Sequence, residues 1–469
     1  MFGSGKHYSM EEQQGRRNVN GERELEGGQP SRNSGQTGHE PEDLKKAEES
    51  TQSQSQWRRI TKVPQLLRGT QDFKKLYEPR VISIGPYHHG KPHLHPVQMI
   101  KPLCARNFLA DSNQEIEALY TKIESNIEAV RKCYNKRPTI KYDNEALAWM
   151  MLLDGCSLLQ FIRRKDLRKF LREHHINFVM QDLFLLENQL PFGVLKLIFE
   201  GAKFNDGLTM EEMIKKFVTD NGRLEESTLE IHLEEASHIL GLLRSALLGQ
   251  SQPEQERPPD KKGKSSASQG ICGRFCSPCK KGKQRGIRQS FRNIKELKAA
   301  GIHLQSSRTR FLTDISFNSY FFRGYLNLPP IIVDDFTKSR FLNIVAYEMC
   351  PDAPHDYTVT SYICFLYELI DHAEDVKELR SKHILRNCLG SDEDVAHIFN
   401  DIANDVVSTG VYGHVKASIQ EHYDRKVSTW IAEVRHIHFR SPWTVTAFIA
   451  AVLILFLTGV QAYYSLPGN

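Results

Sequence analysis

Imidazoles and carboxylates are where chemistry would start in this chain. His88, His89, His93 and His95 fall within eight residues, a donor density that suits zinc or copper, but no Cys or acid shares the segment to complete a ligand set. Glu235-x-x-His238 and Glu433-x-x-His436 have the i, i+3 spacing of carboxylate-bridged di-iron bundles. The inward acids that would complete such a site are not evident, and pairs at this spacing commonly form solvated helix faces. Asp154 is the one charge after Glu145 in an apolar run, where burial would raise its pKa as a general acid requires. A buried Asp held by a cation or capping a neighbour is the commoner arrangement. No G-x-S-x-G elbow, G-x-x-x-x-G-K-[ST] loop, kinase signature or H-E-x-x-H occurs, so the expectation is a non-enzyme without metal or cofactor.

Cys272, Cys276 and Cys279 form a C-x3-C-x2-C spacing like that of an iron–sulfur fingerprint. Such a cluster needs a burying shell and a loop that follows a strand, whereas these thiols stand among Gly, Lys and Ser. Reversible S-acylation, or no role at all, fits that setting better. The nine cysteines are an odd number and several lie in apolar helical patterns, which reads as reduced thiols.

The elements that must position these groups are mainly helices. Glu145 to Ile162 is apolar nearly all round, the pattern of a core helix buried by neighbours. Ile239, Leu242, Leu243, Ala246 and Leu247 make a one-face stripe, and Ser361 to Leu379 repeats that theme. Arg80 to Ile84 and Pro330 to Val333 read as short strands. In Asp182 to Phe192 (DLFLLENQLPF), Leu183, Leu186 and Leu190 share a face and Pro191 suits the first turn of a following helix. Asp182, Glu187 and Asn188 are then expected to cap that start, with Gln189 beside them. Gly85, Pro86, Tyr87, His88, His89 and Gly90 form a shaped loop.

Composition divides the chain. Residues 1–56 are polar and expected to be disordered. Residues 57–248 and 293–438 read as two parts of one helical body, separated by a basic loop at 249–292. Lys261 to Arg292 holds ten Lys or Arg and no acid, so a chain of net charge +5 is −5 elsewhere. That loop is a solvated linker or a contact for anionic lipid. Nucleic acid is not expected, because a membrane-tethered chain with so few aromatics in its basic stretch lacks the stacking platforms that single strands need. Residues 443–464 are 22 residues without charge, enough for a transmembrane helix, with Trp443, Tyr463 and Tyr464 as interfacial anchors. Arg435 and Arg440 precede it, and the N-terminus shows no signal peptide, which together place the body in the cytosol of a single-pass plasma-membrane or endomembrane protein.

The runs ISIGPYHHG (82–90), LLDGCSLLQFI (152–162), DLFLLENQLPFGVL (182–195), HILGLLR (238–244), ELKAAGIHL (296–304), LPPIIVDDFTKSRFLNIVAYE (328–348) and NCLGSDEDVAHIFN (387–400) resemble the plant family called domain of unknown function 247. The resemblance implies a helical body, a C-terminal span and no catalytic residues. It also implies a role in recognition, since some grass members are similar-looking pollen-side determinants of self-incompatibility. Gln160 and Val97-Gln98-Met99 depart from the family pattern. The functional expectation is a tail-anchored module that binds an unidentified protein partner. Its rivals are a hydrolase-like or metal-dependent enzyme and a lipid-reading scaffold.

Overall fold

Among the described residues helices predominate, and the strands are few and short. The structure, a computed structural model, describes residues 58–69, 72–163, 171–224, 236–249, 293–320, 323–354, 356–403, 406, 410–438 and 442–464. The expected tail at 1–56, the basic stretch with Cys272, Cys276 and Cys279, and Glu235 lie outside them.

The first part holds α1 (Lys101–Ser112), α2 (Ile116–Ser125), α3 (Asn144–Arg163), α4 (Glu173–Asp182), α5 (Phe192–Phe199), α6 (Met210–Gly222) and α7 (Ile239–Leu248). α3 packs against α1, α2, α5 and α6, as a helix apolar all round must. Among the helices whose side chains are described along their whole length, it alone is long and apolar enough to cross a membrane, yet 78% of that stretch is buried by the protein's own side chains. Gly155 lets α5 come close, since a Cβ there would lie 2.2 Å from Ile198 Cδ1. α6 opens with a capping box in which Thr209 and Glu212 satisfy each other's backbone amides.

The second part adds β1 (Ile302–Ser306), β2 (Ser316–Ser319), β3 (Gly324–Leu328) and β4 (Ile331–Val333), then α8 (Thr337–Glu348), α9 (Thr358–Leu369), α10 (Ala373–Ser381), β5 (Leu385–Asn387), α11 (Asp392–Ala403) and α12 (Gly413–His438). β3 lies between β1, parallel to it, and β2, antiparallel. β4 pairs with β5 in parallel, so the expected strand at 330–333 exists. The theme from Ser361 to Leu379 is two helices, not one. The first ends at Leu369, and Asp375, at the third position of the second, starts that helix by accepting the amides of Asp371 and His372.

The expected strand at Arg80 to Ile84 does not form. Its amides turn to side chains instead of to a neighbouring strand. Asn343 joins the two parts: its Oδ1 accepts from Leu186 N at 2.9 Å, and its Nδ2 donates to Leu76 O at 2.9 Å.

The last helix, α13 (Pro442–Tyr464), has 23 residues and is about 34 Å long. Side chains are described only from Ile449 to Gln461 and at Thr446. Large apolar ones there are exposed, Leu455 at 73% and Phe456 at 68%. The side chains of Trp443, Tyr463 and Tyr464 lie outside the described set.

Candidate functional site

Two of the sequence motifs meet in the interior. α4 ends at Asp182, and the irregular corner from Leu183 to Pro191 then runs beneath the extended segment 80–85. The Asp182 carboxylate accepts three consecutive amides, from Arg80 at 3.0 Å, Val81 at 2.7 Å and Ile82 at 3.0 Å. Asn188 continues the series, accepting from Ile84 N at 2.6 Å and donating to the Ile82 and Asp182 carbonyls. Glu187 accepts from Val63 N at 2.8 Å and pairs with Arg68. Gln189 donates to Leu183 O and Leu185 O and accepts from Leu240 N at 3.1 Å.

These side chains do not cap the helix that follows them, as the spacing predicts. α5 begins after Pro191 with no side-chain cap, and Leu190 and Phe192 are core residues. The acids satisfy amides about one hundred residues away. Local spacing cannot reveal that pairing.

Asp154 completes the run by accepting from Gly85 N at 2.8 Å while Lys101 of α1 pairs with its other oxygen. Lys101 also donates to Ser83 O. Burial pulls the Lys101 ammonium below its usual pKa, and Asp154 opposes that shift. Gly85, at φ +74°, fits because a Cβ would stand 3.0 Å from Gln189 O. Tyr87 donates to Ile60 O at 2.6 Å and accepts from Asn135 N. Burial also pushes the Asp182 carboxyl up to about 6, against the pull of its three amide donors.

The four histidines separate. His88 turns inward, with Nε2 3.7 Å from Glu187 and its pKa lowered to about 3 by burial and then by Lys91, Lys62 and Arg68. His89 meets Tyr142 edge-on, His93 faces Pro79 O and His95 is exposed. Among the described residues no group of three His, Cys, Asp or Glu is placed to hold a metal. His238 is the N-cap of α7, its Nδ1 accepting from Gly241 N at 3.1 Å.

A separate cleft of about 570 Å³ opens between α4, the end of α6 and the start of α8. Ile176, Met180 and Phe336 supply apolar walls. Two guanidiniums share one carboxylate there: Arg223 Nε lies 3.6 Å from Asp334 Oδ2, and an Arg340 terminal nitrogen lies 3.7 Å from Oδ1. Asp334 is fixed by the amide of Phe336 and the hydroxyl of Thr337. Burial pulls the Arg340 guanidinium below its usual pKa. Asp334 opposes that shift and the neighbouring Arg223 adds to it.

A family model described as a plant protein of unknown function, DUF247, matches residues 60–457. The chain belongs to that family. Similar proteins include two from Arabidopsis thaliana. The UPF0481 protein At3g47200 is 30% identical, over 83% of this chain and 82% of its own. The putative UPF0481 protein At3g02645 is 23% identical, over 82% of this chain and 86% of its own. No solved structure matches.

In this DUF247 protein the motif residues of 85–90 and 182–192 are thus brought together with Asp154. Sequence reasoning missed their partners Lys101 and Asn343. It also missed Arg244 of α7, which donates to the buried Glu348 at 2.7 Å. Glu348 accepts in addition from Val359 N and Thr360 N. A lone charge inside or beside an apolar stretch is the signal that would have found Arg244 and Glu348, as it found Asp154; the amide Asn343 carries no such signal. Arg223 and Arg340 carry no such signal, because each stands among ordinary surface residues in the sequence.

Proposed function

We propose that this DUF247 protein is a non-catalytic recognition module, held at a membrane by α13, whose helical body binds a protein partner. One observation supports it above others: the acids of the family motifs are used up as acceptors for backbone amides, so they serve the body's shape. Asp154, Asp182 and Glu187 each face a different set of amides and cations, with no shared space where a substrate atom would sit between acid and base. Binding would then rest on the surface that this framework holds. Recognition of the self-incompatibility kind is the narrowest form of this reading.

For the membrane, the support is α13. Its described side chains are mostly apolar and exposed, and at about 34 Å the whole helix matches the roughly 30 Å of a bilayer core. Arg435 and Arg440 just before it favour a cytosolic body. So do thiols buried singly, such as Cys133 and Cys350, which donate to helix carbonyls at Ala129 and Ala346. The test is protease protection in sealed plant microsomes with an epitope at each end, followed by co-purification from the same membranes. Digestion of the body with survival of α13, and capture of a partner lost when the body is deleted, is the expected result. A body that stays soluble after lysis, or a capture pattern equal to that of α13 alone, would overturn the reading.

A further inference from the structure

The cleft between α4, α6 and α8 lies apart from the motif network, and neither the family nor the proposed recognition role assigns it. Its volume is in the range of small-molecule sites, roughly 300–1,000 Å³. Its inner end holds two positive groups and one shared negative one. Both contacts to Asp334, at 3.6 and 3.7 Å, are longer than hydrogen bonds, so the guanidiniums keep donors that this carboxylate does not engage. Asp334 cannot move toward either Arg without giving up Phe336 N and Thr337 Oγ1. Arg223 is 53% exposed at the mouth and Arg340 only 11%, which orders the two donors from outside to inside.

From this we infer that the cleft binds an organic monocarboxylate, whose anionic head takes the donors of Arg223 and Arg340 that Asp334 leaves unengaged and whose apolar body lies along Ile176, Met180 and Phe336. A planar carboxylate matches the donor fork of a guanidinium, and desolvation at Arg340 strengthens the contact. Glu173 and Asp220 line the cleft with Asp334, three acids against two Arg, so a second negative group on the ligand is disfavoured and a cationic group in its remainder is favoured. The remainder of the ligand is neutral or cationic.

The experiment is calorimetric titration of the full chain in detergent with 3-phenylpropanoate. Its amide, 3-phenylpropanamide, serves as the neutral isostere, and a tripeptide ending in a free phenylalanine carboxylate distinguishes a chain terminus from a free acid. Saturable binding of one carboxylate probe, weaker by about tenfold or more for the amide and for Arg223→Gln, is the expected result. Arg223 is half-exposed, so Arg223→Gln should melt like the parent, and Arg340→Gln is read only if its melting is also unchanged. No saturation by either carboxylate at millimolar concentration, or equal binding by the amide and by a folded Arg223→Gln protein, would overturn the inference.

Discussion

At the scale of the residue, burial decides which protonation state each group keeps. His238 is fully buried, and its Nδ1 accepts an amide hydrogen that a protonated ring would refuse. Burial lowers its pKa to about 3, below the unfolded value near 6.5. Between those values the unfolded chain takes up a proton that the folded chain does not, so stability falls as pH falls from about 6.5 toward 3 and is flat above that window. The slope from one such group is about 1.4 kcal/mol per pH unit. His238→Asn keeps a good N-cap and removes the titration. Urea unfolding at pH 7, 6 and 5 should show the variant losing one proton's worth of that slope, with the remainder due to groups such as His88. Much of this was hidden in the sequence. His238 looks like half of a Glu-x-x-His pair, and only the fold shows that it starts a helix.

At the scale of the element, α3 shows what periodicity can and cannot reveal. Its uniform apolarity predicts a core helix, and the structure surrounds it with α1, α2, α5 and α6. The close approach of α5 at Gly155 was not legible, because a glycine inside a helix marks contact without naming the partner. Gly155→Ala gains about 1 kcal/mol of helix propensity but drives a methyl into Ile198. We expect a net loss of up to about 2 kcal/mol in unfolding free energy, since overpacking typically costs about 1–3 kcal/mol. Ile198→Val removes the clashing Cδ1, so the double variant should recover part of that loss, and denaturation of the three proteins checks it. The segment 80–84 shows the opposite failure. RVISI has the composition of a strand, but Asp182 and Asn188 take its amides before another strand can.

At the scale of the whole molecule, the mainly helical class and the family were legible from pattern and from ordered runs of residues. The long-range pairings were not, because nothing in a linear chain ties Asp182 to Arg80, Glu187 to Val63 or Leu186 to Asn343. Those pairings lock the segment before α1 to the corner before α5, and that corner to α8. If they are the reason for the motifs, removing one must weaken the fold itself. The direct measurement is the unfolding free energy of Asp182→Ala against the parent chain, by urea denaturation followed by circular dichroism. Three amides lose their acceptor in that variant, the one at Ile82 buried and those at Arg80 and Val81 partly so, and at about 1 kcal/mol each the loss should reach about 3 kcal/mol. An unfolding curve that superimposes on the parent's would contradict the account and return Asp182 to the candidates for chemistry.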